Sequence, residues 1–360
     1  MKWSVFIASV LLGAAAGQWS SVGTSQGLPE EIRFQVYVAY DNVFHYNFSD
    51  EHLAKKYAVV FFNAINLIFQ NMTNPRIKFE VVMFHTQTAQ FTFPALTLDN
   101  NEVDAHESLI SIEKFISTRP QFSASDILFV FCGRKVFTKS QEGKKVYSPQ
   151  GLTWERGICN RSRKIVIVND MAKNFYALPN AAFQLARLLG APTACTPGYS
   201  ELEGHFKLFH LSNCAAGNIS KFLKELQQKY PHQARDCFRQ KYNSAKSLSS
   251  FYKDLPNKIA NEDVFCKKLG ELRKEYPNRG ICYRHGIISD LHEIYTNPAI
   301  KSSMTSENTQ CVFDCCSIDY SGQPAFQFHS HYAFDGTPCR PTHEGKICIL
   351  GRCVGKNFTS

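Results

Sequence analysis

Over the first two thirds of the chain the apolar positions switch repeatedly between two spacings. EIRFQVYVAYD, from Glu31, is a β-branched and aromatic run that predicts a strand, and DEHLAKKYAVVFFNAINLIFQNM, from Asp50, repeats apolar residues near 3.6 and predicts a long helix. RIKFEVVMFH, from Arg76, reads as a second strand and NNEVDAHESLISIEKFISTR, from Asn100, as a second helix. SDILFVFCG, from Ser125, and RKIVIVND, from Arg163, are further strands. Strands alternating with helices predict an α/β domain around a mostly parallel sheet.

A helix follows around Leu178 to Leu189, with Leu178, Ala182, Leu185 and Leu189 on one face and Gly190 and Pro192 to stop it. NISKFLKELQQKY, from Asn218, is a terminal amphipathic helix. Past about residue 240 the pattern breaks: NSAKSLSS reads as a linker, and a loop-rich, cysteine-dense stretch runs to the end. The expected organisation is a signal peptide at 1–17, a first domain at 18–245, and a linker with a cysteine-rich module at 246–360.

The signal reading rests on Lys2, the apolar run from Val5 to Leu12 and the small residues Ala15, Ala16 and Gly17. That run is short of the roughly 20 residues needed to span a bilayer, so membrane insertion is not expected. Cysteine usage agrees with secretion. Of 13 cysteines, eight lie in the last part of the chain: Cys266, Cys282, Cys311, Cys315, Cys316, Cys339, Cys348 and Cys353. In a secreted chain these read as four bridges of open connectivity. The odd count leaves one thiol, and Cys132 in the apolar strand is the candidate. Sequons begin at Asn47, Asn71, Asn160, Asn218 and Asn357 and mark expected glycosylation sites.

Charge sharpens the partner class. The chain carries 40 Lys and Arg against 31 Asp and Glu, a formal net charge of +9. The excess gathers between residues 221 and 284, and Lys267, Lys268, Arg273, Lys274 and Arg279 are candidates for binding a polyanion such as a sulfated glycan. The plainer reading is a solvated basic surface. Nucleic acid is not an expected partner outside the cell.

The stretch NAAFQLARLLGAPTACTPGY, from Asn180, has the frame of H-E-x-x-H-x-x-G-x-x-H without its chemistry. In that motif two histidines one helical turn apart grip zinc, a third closes the site, and the Glu takes a proton from zinc-bound water. The histidine positions are Phe183, Arg187 and Thr193; the Glu is Gln184; only Gly190 is kept. Phenylalanine has no donor atom, arginine carries a fixed positive charge, and glutamine is a poor base. No zinc or other cofactor is expected, and none of these residues is expected to be catalytic. The pairs His329 with His331 and His205 with His210 lack a third ligand at recognised spacing, and His106 lacks its second histidine. There is no G-x-S-x-G elbow and no P-loop.

Three further segments carry a resemblance. GLTWERGICNRSRKIVIVND resembles the strand and cysteine before the active helix of reprolysin (adamalysin-type) metzincins, and FHLSNCAAGNISKFL resembles the cysteine and last helix of that domain. FDGTPCRPTHEGKICILGRCV resembles the signature of the cysteine-rich module that follows it. Over roughly residues 30 to 353 the chain is similar to secreted metalloproteases of this branch, most of all to those of tick saliva. The resemblance implies a metzincin-like mixed sheet with helices followed by a small disulfide-rich module, and bridges Cys159–Cys237 and Cys195–Cys214. The family's Met-turn methionine is missing, with Glu201 or Leu202 in its place, and its calcium-site Glu is matched by Gln35. No propeptide is expected between the signal and the domain. The expected function is that of an inactive homologue that binds host or other extracellular proteins. The alternatives are an active zinc endopeptidase with an unrecognised metal site and an abundant secreted protein without a specific partner.

Overall fold

In the computed structural model the described residues are 27–84, 96–122, 125–147, 151–195, 211–239, 253–260, 262, 265, 280–285, 311–318, 324–339 and 345–356. The expected signal segment at 1–17, the expected linker at 243–250, Cys266, the basic candidates Lys267, Lys268, Arg273, Lys274 and Arg279, and Asn357 lie outside them, as do His205, His210, Glu201 and Leu202.

The first domain opens with strand β1 (Glu31–Tyr40), the short helix α1 (Asn42–Tyr46) and the long helix α2 (Glu51–Ile68). Asp50 caps α2 by accepting the Leu53 N–H at 2.8 Å. Strand β2 (Arg76–Phe84) pairs parallel with β1, as the intervening helix demands. The chain then makes short strands β3 (Leu98–Asp99) and β4 (Glu102–Asp104) and helix α3 (Ala105–Ser117), capped by Asp104. Strand β5 (Ile127–Cys132) is buried along its whole length; β6 (Val136–Lys139), β7 (Lys145–Val146) and β8 (Gly151–Thr153) follow, and then the buried β9 (Ile165–Asn169). Helices α4 (Leu178–Leu188), α5 (Asn213–Lys229) and α6 (Pro231–Phe238) complete the domain.

The main sheet has the order β2-β1-β5-β9-β8. Its first four strands are parallel and β8 runs antiparallel at one edge. Because β5 and β9 are covered on both faces, their sequences ILFVFC and IVIVN are nearly continuous apolar runs. One face packs on α2, α4 and α5 through a core of aromatic side chains that includes Phe34, Tyr57, Phe61, Phe129 and Phe131. The other packs on α3 through Leu109, Ile112, Val130 and Ile167. A second small sheet, β3-β4-β6-β7, lies beyond; the sequence pattern gave no sign of it.

The later chain holds a three-stranded antiparallel sheet, β10 (Gly280–His285), β11 (Val312–Ile318) and β12 (Pro324–Tyr332), and a hairpin of β13 (Lys346–Ile349) and β14 (Arg352–Gly355). Its small core contains Phe265, Phe313, Cys311, Cys339 and Cys348. Phe334 joins it to the first domain, at 6.2 Å from the Phe175 ring. Disulfides link Cys159 to Cys237, Cys195 to Cys214, Cys311 to Cys348 and Cys339 to Cys353. Cys132 is free and buried. Among the described residues no helix is long and apolar enough to cross a membrane.

Candidate functional site

Helix α4 lies beneath the β8–β9 edge of the sheet and carries Phe183, Gln184 and Arg187, three of the four residues that fall at ligand or base positions of the zinc-motif frame. It starts with Pro179 in its first turn, where a missing N–H costs nothing. It ends in a Schellman turn: the Ala191 N–H donates to the Ala186 carbonyl and the Gly190 N–H to the Arg187 carbonyl. Gly190 supplies the left-handed residue at φ +98°. The Gly of the frame is therefore kept for the turn and needs no metal to explain it.

Gln184 is fully buried. Its Nε2 donates to the Gly151 carbonyl at 3.0 Å, tying α4 to β8, and lies 3.4 Å from the Asn180 Oδ1. Gly151 permits this close packing, since a Cβ there would stand 2.5 Å from the Ile167 carbonyl oxygen and 3.1 Å from the Asn180 Nδ2. One turn on, the guanidinium of Arg187 lies 5.8 Å from the Phe183 ring centroid, within cation–π range. Its nearest acid is Glu155, just past β8, with Nη2 at 3.7 Å from Oε2. Thr193 is exposed in a 3₁₀ turn that leads into the Cys195–Cys214 bridge. Phe183 and Arg187 thus face one another, and Gln184 is turned to the strand. The donor set does not fit zinc: one position has no donor, the second is a cation, and where the motif has a carboxylate stands an amide held by the backbone.

The other sequence candidates fall elsewhere. Gln35 is fully buried in β1; its N–H donates to the Asp126 Oδ2 at 2.9 Å, and its carbonyl accepts the Asp126 N–H at 2.8 Å. His106 packs edge-on against Trp154 at 6.0 Å. The Cys132 thiol is pushed up by burial, and further by the charge of Asp41, against the opposing effect of Arg134, so it is poorly suited to act as a nucleophile. The sulfurs of Cys311, Cys339 and Cys348 lie within 4.8 Å of one another, but they belong to two adjoining disulfides and are not thiolate ligands.

Sequence reasoning missed the segment between β9 and α4. Ala172, Lys173 and Phe175 all take positive φ. The turn is held by the buried Asp170, which accepts the Tyr57 hydroxyl at 2.9 Å and the Ala172 N–H at 2.8 Å. The Phe175 N–H donates to the Tyr57 oxygen at 3.0 Å. Burial, and then the Asp170 charge, push the Tyr57 hydroxyl well above its ordinary range.

No family model matches the chain, and no curated protein matches it in sequence. A solved structure titled "Structure of a chaperone-substrate complex" is similar over 53% of this chain at 14% identity, with a TM-score of 0.34. The match spans 32% of that chain, about a third of its length, and at this score it carries no argument about fold or function.

Proposed function

We propose that the protein is a secreted, non-catalytic homologue of the reprolysin-type metalloproteases, which works by holding an extended segment of an extracellular protein along β8. The observation that carries this reading is the Arg187–Phe183 pair. It puts a guanidinium and an aromatic ring at the two helix positions where the motif has metal ligands, with Gln184 in place of the base. The mixed sheet offers β8 as an edge strand beside this helix, and an edge strand accepts an added strand through its backbone groups. Several disulfides, and no helix able to cross a membrane among the described residues, suit an extracellular protein.

The test is metal and cleavage together. The dialysed protein is expected to hold well under one zinc per chain, to keep its Tm in chelator, and to leave gelatin, casein and fibrinogen uncut. Stoichiometric zinc with chelator-sensitive cleavage refutes the reading. The variant Phe183→His, Gln184→Glu, Arg187→His, Thr193→His is expected to gain zinc; a folded variant without metal means that the motif alignment is wrong. Pull-down from plasma separates a specific binder from an abundant protein without a partner.

A further inference from the structure

The fork of Arg187 formed by Nε and Nη2 is one carboxylate short. Nε is buried with no hydrogen-bond partner among the described residues. Nη2 reaches the Glu155 Oε2 only at 3.7 Å, too long for a hydrogen bond. A buried N–H left unpaired costs on the order of 1–3 kcal/mol, so the arrangement favours a ligand that completes it. The side chain keeps 18% of its surface exposed, and Glu155, at 46%, is free to swing aside.

The backbone of a second arginine adjoins that of the first. The Arg156 N–H donates to the Arg187 carbonyl at 3.1 Å, and the Arg156 guanidinium lies 5.2 Å from the Phe222 ring. Each guanidinium is held against its own aromatic ring, Arg187 on Phe183 and Arg156 on Phe222, and Glu155 beside Arg187 is half-exposed. Planar, weakly hydrated and pre-oriented, such groups recognise carboxylates better than ammonium groups do.

We infer that Arg187 receives a carboxylate of the extended peptide that adds to β8, so that the partner segment is acidic at that position. The inference rests on the edge-strand reading above. The Glu or Asp side chain of a continuing segment and a free C-terminal carboxylate share this chemistry, and the probes below distinguish them. Arginine in the last turn of a helix also favours the helix dipole, so stability alone is not a test of the inference.

The experiment uses the full secreted protein and fluorescent, N-acetylated, C-amidated nonapeptides of Thr, Ser and Val with one Glu placed at each position in turn. Matched Gln peptides and one Glu-free peptide with a free C-terminus complete the set. Fluorescence anisotropy is expected to show one Glu register, or the free C-terminus, binding about tenfold tighter than its neutral match. Arg187→Gln is expected to erase that preference, Arg187→Lys to keep part of it, and Glu155→Gln, which removes the internal competitor from an exposed site, to raise it about threefold. If Arg187→Gln does not fold, Glu155→Gln decides alone. Equal binding of Glu and Gln peptides overturns the role of Arg187 and leaves the β8 reading standing. Binding of no peptide overturns both. Capture of a heparin dodecasaccharide through Arg187, with no peptide bound, overturns the acidic-peptide inference in favour of a sulfated polyanion.

Discussion

Gly190 lies so close to Phe222 that a Cβ on it would stand 2.6 Å from the ring atom Cδ1. The same residue sits at φ +98°, where side chains other than hydrogen are strained. Gly190→Ala is therefore expected to cost about 2–4 kcal/mol, from left-handed strain and the displaced ring. Gly217, in the middle of α5, has nothing within 4 Å of its would-be Cβ. Gly217→Ala is expected to stabilise by about 0.5–1 kcal/mol. Urea unfolding of both variants checks the pair, and equal effects would refute the turn geometry.

The Cys159–Cys237 bridge spans 78 residues and ties the loop after β8 to α6, where Gln233 also donates to the Cys159 carbonyl at 2.7 Å. Restricting so long a loop in the unfolded chain contributes about 4 kcal/mol on the chain-entropy account. The double variant Cys159→Ser, Cys237→Ser is expected to lose about 2–4 kcal/mol, read by denaturant unfolding. A loss under 0.5 kcal/mol would mean that the unfolded chain is already compact there.

The long elements were legible because each carries its period over enough residues to outvote local exceptions. The α2 helix has Ala54, Tyr57, Ala58, Phe61 and Ile65 on a buried face, and β5 and β9 are apolar throughout. The small sheet was not legible because β3, β4 and β7 have only two or three residues each, too few for a period of two to register. The placing of Phe183, Gln184, Arg187 and Thr193 on the frame of the zinc motif rests on their spacing alone. What those side chains do instead depends on residues far along the chain, Gly151 and Glu155, which β8 brings over α4. The turn at Ala172 to Phe175 was hidden for a similar reason. Its left-handed residues are not glycines, and Tyr57, over a hundred positions earlier, holds them.

The sequons separate by what the asparagine amide does. Asn160 is exposed, and its Oδ1 accepts the N–H groups of Ser162 at 3.0 Å and Arg163 at 3.2 Å, an Asx turn. By contrast, the Nδ2 of Asn47 donates to the Val43 carbonyl, that of Asn71 to Leu211, and that of Asn218 to Cys214 beside the Cys195 sulfur. A glycan is attached through Nδ2. Asn160 is expected to be close to fully glycosylated, with Asn47 and Asn218 low. Peptide mapping after enzymatic deglycosylation in heavy-oxygen water reads each site, and a bare Asn160 beside an occupied Asn218 would sink the assignment.

Asp335 sits where the hairpin meets the short 3₁₀ turn Pro256–Lys258, which lies against α2. Its Oδ1 accepts the Leu350 N–H at 2.6 Å, and its carbonyl accepts the Asn257 N–H at 3.1 Å. Asp254, three residues before Asn257, holds the segment to α2 through Asn63 and Lys56. Burial pushes the Asp335 carboxyl up from 3.8 to about 7, against the pull of the Leu350 bond. A folded-state value above the unfolded one means that the folded chain holds a proton which the unfolded chain has lost between about pH 4 and 7. The associated stability is fully present below the unfolded value and is lost as the pH rises through the folded one. Asp335→Asn removes the charge and keeps an acceptor for Leu350. It is expected to leave stability nearly unchanged at pH 4 and to raise it by about 1–2 kcal/mol at pH 8, below the roughly 4 kcal/mol that a shift of about three units would set as a ceiling. Urea unfolding of both proteins at the two pH values measures the difference. Parallel stability-versus-pH curves for wild type and variant would mean that Asp335 ionises normally and that the junction is open to water.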